Sequence, residues 1–313
     1  MRYILFLFLF ISCDIKEKNE SKINLKYLGA AGWEFSDEKI IVLVDPYLSR
    51  IKLLGSSTTA TVTTSDVENM GKSDTRPSFN REDFYVPDSA VIDKHISNVD
   101  YIFVHHTHFD HAADVPYIAK KTGATVIGTE SMANLLRAHG IPGRQIITVK
   151  GGEDYQFENF SVKVIPSLHS ALRNKLYFNS GVISKDFKPP MKIRGYIEGN
   201  SLMFYFRFKS QKILTMGSMN FIEDNIKGLE PTILLAGSAN SRKNMYKYTE
   251  RLISSTGNPE VIIPTHWDNF RIPYGFSQDD AIKSKVLPFI EDVKKLNVRS
   301  KIIIPKHLET LTF

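Results

Sequence analysis

Tyr101-Ile-Phe-Val-His-His-Thr-His-Phe-Asp-His-Ala-Ala-Asp114 is a short apolar run that ends in a burst of histidines and a carboxylate. It reads as a buried strand delivering ligands to a loop. His106, His108, Asp110 and His111 follow the order H-x-H-x-D-H, and each is a side chain that a first-row divalent metal accepts. Side chains of an extended segment alternate with period two, so His106 and His108 project to one side and can chelate one ion together. Asp110 and His111 follow a change of direction toward a helix and can serve a neighbouring position. The spacing therefore predicts two adjacent metal sites.

This pattern resembles the signature of the metallo-β-lactamase superfamily. The resemblance implies an α/β (α+β) four-layer αββα sandwich with metals at one edge of two packed sheets. It also implies a hydrolase whose metal, zinc by preference with Mn2+ or Fe2+ as alternatives, activates water. On the same resemblance, His169, at the end of the strand-like Phe160-Ser-Val-Lys-Val-Ile-Pro-Ser-Leu-His169, completes the first site. His266, closing Pro259-Glu-Val-Ile-Ile-Pro-Thr-His266, joins Asp110 and His111 in the second. Asp45, at the end of Lys39-Ile-Ile-Val-Leu-Val-Asp45, matches a carboxylate that sits beneath the metals and orients their ligands. A plain turn carboxylate before Pro46 is the bland alternative.

One position departs from the pattern. The family ends the strand equivalent to Lys212-Ile-Leu-Thr-Met-Gly-Ser218 in Gly-Asp, whose carboxylate bridges the metals, whereas this chain has Ser218. A hydroxyl coordinates zinc poorly by comparison, so the second site is expected to be weak or bridged by other groups. With one ion only, Asp110 is free to act as general base. Trp267-Asp268-Asn-Phe270 resembles the ascorbate-6-phosphate lactonase and N-acyl-phosphatidylethanolamine phospholipase D branch, with Asp268 beneath the ligands or in the pocket wall. Trp33, Phe109, Tyr177, Phe178, Trp267 and Phe270 are candidates for an aromatic pocket mouth, or core residues.

The apolar fraction of 42% over 313 residues supports a sizeable core, and the formal charge of +6 is spread without a dense basic block. That balance suits an anionic substrate or an acidic membrane surface, and nucleic acid is not an expected partner. Residues 1–12 read as a signal peptide, too short to span a bilayer. Cys13, the only cysteine, follows Phe10-Ile-Ser as in a bacterial lipobox. A plain signal peptide, or an apolar N-terminus with a buried thiol, is the alternative. On the lipoprotein reading, residues 13–22 are a lipidated N-terminus and tether, and the protein is exported and anchored to a bacterial membrane through lipid. A small-molecule or lipid substrate is then expected.

The domain proper spans 23–313, starting with the strand Ile23–Leu28. Within it, 49–97 is an insertion that could form a lid or an excursion without fixed structure. Further along, Tyr117–Lys121, Ala124–Gly128, a helix from Ser131 to His139 ending near Gly140, and Gln145–Val149 fit a βαβ progression. Leu202–Phe208 and Lys212–Ser218 read as a hairpin, Pro231–Gly237 as a buried strand and 242–254 as a helix. A helix over 278–296 and a strand at Lys301–Pro305 end the chain. The competing function class is an anchored binding or scaffolding lipoprotein that keeps the fold but has lost the second site at Ser218.

Overall fold

The computed structural model describes residues 22–54 and 74–313. Cys13, the signal and tether segments and most of the Ser/Thr-rich part of the insertion lie outside the described residues. The strands, in chain order, are β1 (Asn24–Gly29), β2 (Gly32–Ser36), β3 (Ile41–Val44), β4 (Lys52–Leu53), β5 (Ser78–Phe79), β6 (Tyr101–Phe103), β7 (Thr125–Gly128), β8 (Ile146–Thr148), β9 (Asp154–Gln156), β10 (Ser161–Ser167), β11 (Ser201–Arg207), β12 (Lys212–Met216), β13 (Ile233–Gly237), β14 (Val261–Thr265), β15 (Lys301–Ile302) and β16 (Thr310–Thr312).

They form two seven-stranded sheets, β16-β1-β2-β3-β6-β7-β8 and β15-β14-β13-β12-β11-β10-β9, with β4 and β5 pairing apart. Both sheets have the same plan. β16, β1, β2 and β3 are antiparallel neighbours, as are β9, β10, β11 and β12. From β3 through β6 and β7 to β8, and from β12 through β13 and β14 to β15, the strands are parallel.

Central strands buried on both faces need apolar residues at every position, which is why the runs at Ile41–Val44 and Ile233–Gly237 are continuous rather than alternating. Period two then sorts the side chains. Val42 and Val44 face the second sheet, Leu43 faces a helical layer, and Ile233 and Leu235 divide from Leu234 and Ala236 in the same way. Phe103 of β6 meets Phe204 and Phe206 of β11 edge-on, at 5.2 and 4.9 Å between ring centroids, which locks the sheets face to face.

On the outer face of the first sheet pack α1 (Ser89–His95), α2 (Phe109–Ala112), α3 (Val115–Thr122) and α4 (Glu130–Ala138). The second sheet is covered by α5 (Glu223–Ile226), α6 (Tyr248–Ser255) and α8 (Leu287–Lys294), while α7 (Asp279–Ala281), joined to α8 by a π turn at Ile282–Val286, sends Ala281 into the core between the sheets. Helix, sheet, sheet, helix is the four-layer order expected from the sequence.

Several local readings are corrected. Tyr117–Lys121 lies inside α3, whose first turn takes Pro116 and whose end is capped by Gly123 in the left-handed conformation. The stretch expected as one helix from Arg242 starts as a 3-10 turn at Asn240–Asn244 and becomes α6 only after Lys247, which has a left-handed φ of 41°. The terminal strand is confined to Lys301–Ile302. β2 and β16, read neither as strands nor as partners, both pair with β1.

Candidate metal centre

The parallel strands of both sheets run their C-terminal ends toward one rim, where ligands bind in open α/β sheets. β3 ends in Asp45, β6 leads into His105–His111, β10 into His169, β12 into Ser218 and β14 into His266. Asp45 and His266 have φ of 42° and 56°. A non-glycine residue in that region costs roughly 1–2 kcal/mol, strain that the surroundings must hold in place. For His266 the hold is its amide, which donates to the Ala30 carbonyl at 2.8 Å.

Two groups of three donors result, His106, His108 and His169 in one and Asp110, His111 and His266 in the other, each with its ligand atoms within 4.8 Å of one another. In the first, His106 Nε2 and His108 Nδ1 face each other at 3.0 Å. The opposite nitrogen of His108 donates to the Phe178 carbonyl at 3.1 Å, and His169 Nδ1 donates to the Ser170 carbonyl at 2.9 Å. These bonds leave His108 Nδ1 and His169 Nε2 with free lone pairs. His106 Nδ1 is buried without a hydrogen-bond partner among the described residues.

In the second group, His111 Nε2 lies 3.2 Å from His266 Nε2, and Asp110 Oδ2 lies 3.6 and 3.4 Å from those two nitrogens. The groups are contiguous, the His106 and His111 rings being 3.8 Å apart. Imidazole nitrogens this close, with no proton available to bridge every pair, are the donor set that a cation satisfies, so the residues fit a metal.

Asp45 explains why the rings stand as they do. It is fully buried and accepts the His105 amide on Oδ1 at 2.8 Å. Its Oδ2 accepts both His105 Nδ1 at 2.6 Å and His111 Nδ1 at 2.5 Å. Asp45, His105 and His111 also lie close enough together to suggest a third metal group. The hydrogen bonds already occupy the facing atoms, and this is a knot that orients His111 instead.

His105 had no role in the sequence reading. It points between the sheets, with Nε2 2.8 Å from the Thr215 hydroxyl and its ring 5.0 Å from Phe204. Gly217 makes room for it, since a Cβ there would lie 2.3 Å from the His105 Cβ. The signal was the alternation itself, because His105 shares the parity of Phe103.

Burial lowers the pKa of His106, His108 and His169, and neighbouring imidazoles add to the effect. His108 falls to about 4 and His169 to about 3. The first group is therefore uncharged at neutral pH, each ring keeping a single N–H. Burial opposes charge on His111 too, but the carboxylates of Asp45 and Asp110 outweigh it and raise its pKa. For Asp110, burial pushes upward, and His111 and His266 prevail to hold it below the usual carboxylate range.

Ser218 is buried, accepts the Ser170 amide at 2.9 Å and lies 3.3 Å from the Ser170 hydroxyl. Its oxygen thus anchors the turn that carries His169. Asp268 accepts the Ala30 amide at 2.8 Å, pairs with buried Arg50 at 2.8 Å and bonds His307 at 2.8 Å. It secures the turn whose carbonyl holds His266.

A cavity of about 470 Å³ opens over both groups. Of the six aromatic candidates, Phe109, Phe178 and Phe270 line it. Trp33 and Trp267 belong to the core between the sheets, and Tyr177 is exposed outside the cavity lining. Leu53 and Arg81, from the insertion, border the cavity.

Among solved structures the chain is similar to Igni18, a metallo hydrolase from Ignicoccus hospitalis. That match has a TM-score of 0.57 and 17% identity, over 94% of this chain and 99% of that one. It is also similar to an isothiocyanate hydrolase from Delia radicum gut bacteria, with a TM-score of 0.55 and 17% identity over 93% and 98%. These likenesses establish the metallo-β-lactamase fold.

In sequence, a stretch of 95 residues is 39% identical to a metal-dependent hydrolase of Staphylococcus aureus (strain JH9), covering 26% of this chain. The chain spans 41% of the length of that relative. The model of the Beta-lactamase superfamily domain matches residues 73–230, half of the chain, including the first histidine cluster, His169 and Ser218, and on that match the chain belongs to the beta-lactamase superfamily.

Proposed function

We propose that the protein is a metal-dependent hydrolase that uses water to cleave an ester, lactone or phosphodiester. The observation that carries this reading is the convergence of His106, His108 and His169 with Asp110, His111 and His266, all but His106 lining one cavity. His106, His108 and His169 would hold one ion and leave it an open position, and Asp110, His111 and His266 would hold a second. A bound zinc supplies a Lewis acid and lowers the pKa of water from about 15.7 to about 7.

The chain's own residues do the rest. Asp45 keeps the His111 proton on Nδ1, so that Nε2 faces the cavity. Phe109, Phe178 and Phe270 present an apolar wall that displaces bulk water and fits the hydrocarbon part of a small molecule or lipid. The metallo hydrolase and metal-dependent hydrolase names of similar proteins agree with this chemistry.

Ser218, whose oxygen is committed to the Ser170 amide, would offer a second ion no carboxylate. With one ion only, Asp110 would be free to act as general base toward water. The same observation favours the competing reading of a binding lipoprotein with a lapsed second site. Lipidation at Cys13, and with it export and a membrane anchor, is part of the proposal. No described helix is long and apolar enough to cross a membrane.

The deciding experiment assays the purified chain on phosphodiester, lactone and carboxyl-ester reporters, with and without zinc or manganese, beside the double variant His106→Ala/His108→Ala. Turnover and metal binding should both vanish in the variant. Full metal loading of the parent with no turnover on any reporter would leave the binding module as the better account.

A further inference from the structure

We propose that Arg81 and Arg271 form an oxyanion-binding subsite in the cavity wall, so that the substrate carries a phosphate or a carboxylate beside its scissile bond; the subsite takes its purpose from the hydrolase reading above. Both side chains line the cavity and are half-buried. Among the described residues neither guanidinium makes a hydrogen bond or an ion pair. Arginines elsewhere in the wall region are spent, Arg50 on Asp268 and Arg76 on Asp74.

Each of the two is held from outside its guanidinium. Arg81 lies over the Phe178 ring, 4.5 Å from its centroid, and the Phe178 carbonyl is the acceptor for His108. Arg271 sits five residues beyond His266. Its amide donates to Asn269 Oδ1 at 3.2 Å, and its carbonyl accepts from Arg76 at 3.0 Å. One arginine therefore flanks the first donor group and the other the second, with their donors uncommitted.

Burial depresses both guanidinium pKa values, with Asp110 opposing it, and each proximity of Arg81 to Arg271 depresses the latter further. Asp110 does not account for them, since it is not within ion-pair distance of either and its own near partners are His111 and His266. The other charges in the lining are engaged or peripheral. Asp268 is paired with Arg50, Lys285 donates to the Asp268 carbonyl, and Asp280 is exposed at the rim. Two forked cations held half-dry with no hydrogen-bond acceptor among the described residues are a geometry that a tetrahedral or planar oxyanion completes with paired hydrogen bonds.

The test titrates the purified full-length chain calorimetrically with inorganic phosphate and, separately, with acetate. Arg81→Gln and Arg271→Gln should each weaken the preferred anion about tenfold or more, as expected for a charge-assisted bond. The exposed-charge control Arg144→Gln should leave it unchanged. Preference for phosphate or for acetate assigns the group. Arg81→Lys, which keeps charge but not the fork, should recover only part of the affinity. Parent-like affinity for both anions in the two Gln variants, each melting as a folded protein, would overturn the subsite. On reporters, the variants should raise KM for an anionic phosphodiester and not for neutral p-nitrophenyl acetate. If no reporter is turned over while anion binding still depends on the arginines, the hydrolase reading fails and the subsite stands.

Discussion

Asp45→Asn alters one buried carboxylate and should uncouple the second donor group from the first. Asp45 Oδ2 takes two imidazole N–H bonds, from His105 and His111, while Oδ1 takes a backbone amide. If the asparagine oxygen stays on the amide, its NH2 faces two ring nitrogens that must now accept. His111 then carries its proton on Nε2, the atom 3.2 Å from His266 and 3.6 Å from Asp110. If the asparagine turns over, its NH2 meets the His105 amide, and a buried donor faces a donor. Bonds to a charged group contribute about 1.5–3 kcal/mol each, so losing two costs about 3–6 kcal/mol. For a chain of this size that is a fall in Tm of roughly 5–9 °C. Metal affinity at the second group should drop about 10- to 100-fold, as when the hydrogen-bond partner of a ligating histidine is removed, with the first group little changed. Calorimetric zinc titration and thermal melting of both proteins measure the two effects. A variant that takes up two ions with parent affinity and melts within about 2 °C of the parent would refute the role given to Asp45.

Ser218→Asp should raise loading of the second ion, read as metal content per chain; equal two-metal loading in both proteins would show that Ser218 does not weaken that site. Arg50→Met leaves the buried Asp268 carboxylate without its guanidinium partner and should destabilise by about 3–5 kcal/mol in chemical denaturation, the range for breaking a buried pair from one side. Acidification should weaken the metal-free protein. His108 and His169, with pKa values of about 4 and about 3, bind fewer protons folded than unfolded, so stability begins to fall as pH drops below about 6.5 and keeps falling toward their folded values. Each contributes up to about 1.4 kcal/mol per pH unit, and denaturation midpoints of chelated protein between pH 7 and 5 will show the slope or its absence.

The sandwich was readable where burial dictates composition. β3, β6, β7, β10 to β14 and the ends that carry His106, His169 and His266 are apolar runs or alternations closed by polar residues. β2 was lost because Gly29-Ala-Ala-Gly reads as a turn and only four residues follow, Trp33 to Ser36. β16 has three residues and exists through its pairing with β1, a partner nearly the whole chain away. α3 resembled a strand because its apolar residues cluster within a turn and a half. Side chains acting across the fold left the weakest trace. Nothing local to Arg50 announces Asp268, and nothing local to Arg81 and Arg271 announces that they share a cavity. His105 was hidden beside better-known positions, although period two places it opposite them.

Each donor group draws from both sheets. His106 and His108 come from the first and His169 from the second; Asp110 and His111 come from the first and His266 from the second. An ion in either place is therefore a fastener across the inter-sheet seam, and its binding energy counts toward keeping the two halves together. By mass action, free metal at a hundred times its Kd would add about 2.7 kcal/mol per independent site, provided the unfolded chain binds none. With metal bound there, the folded fraction would rise with the supply of metal.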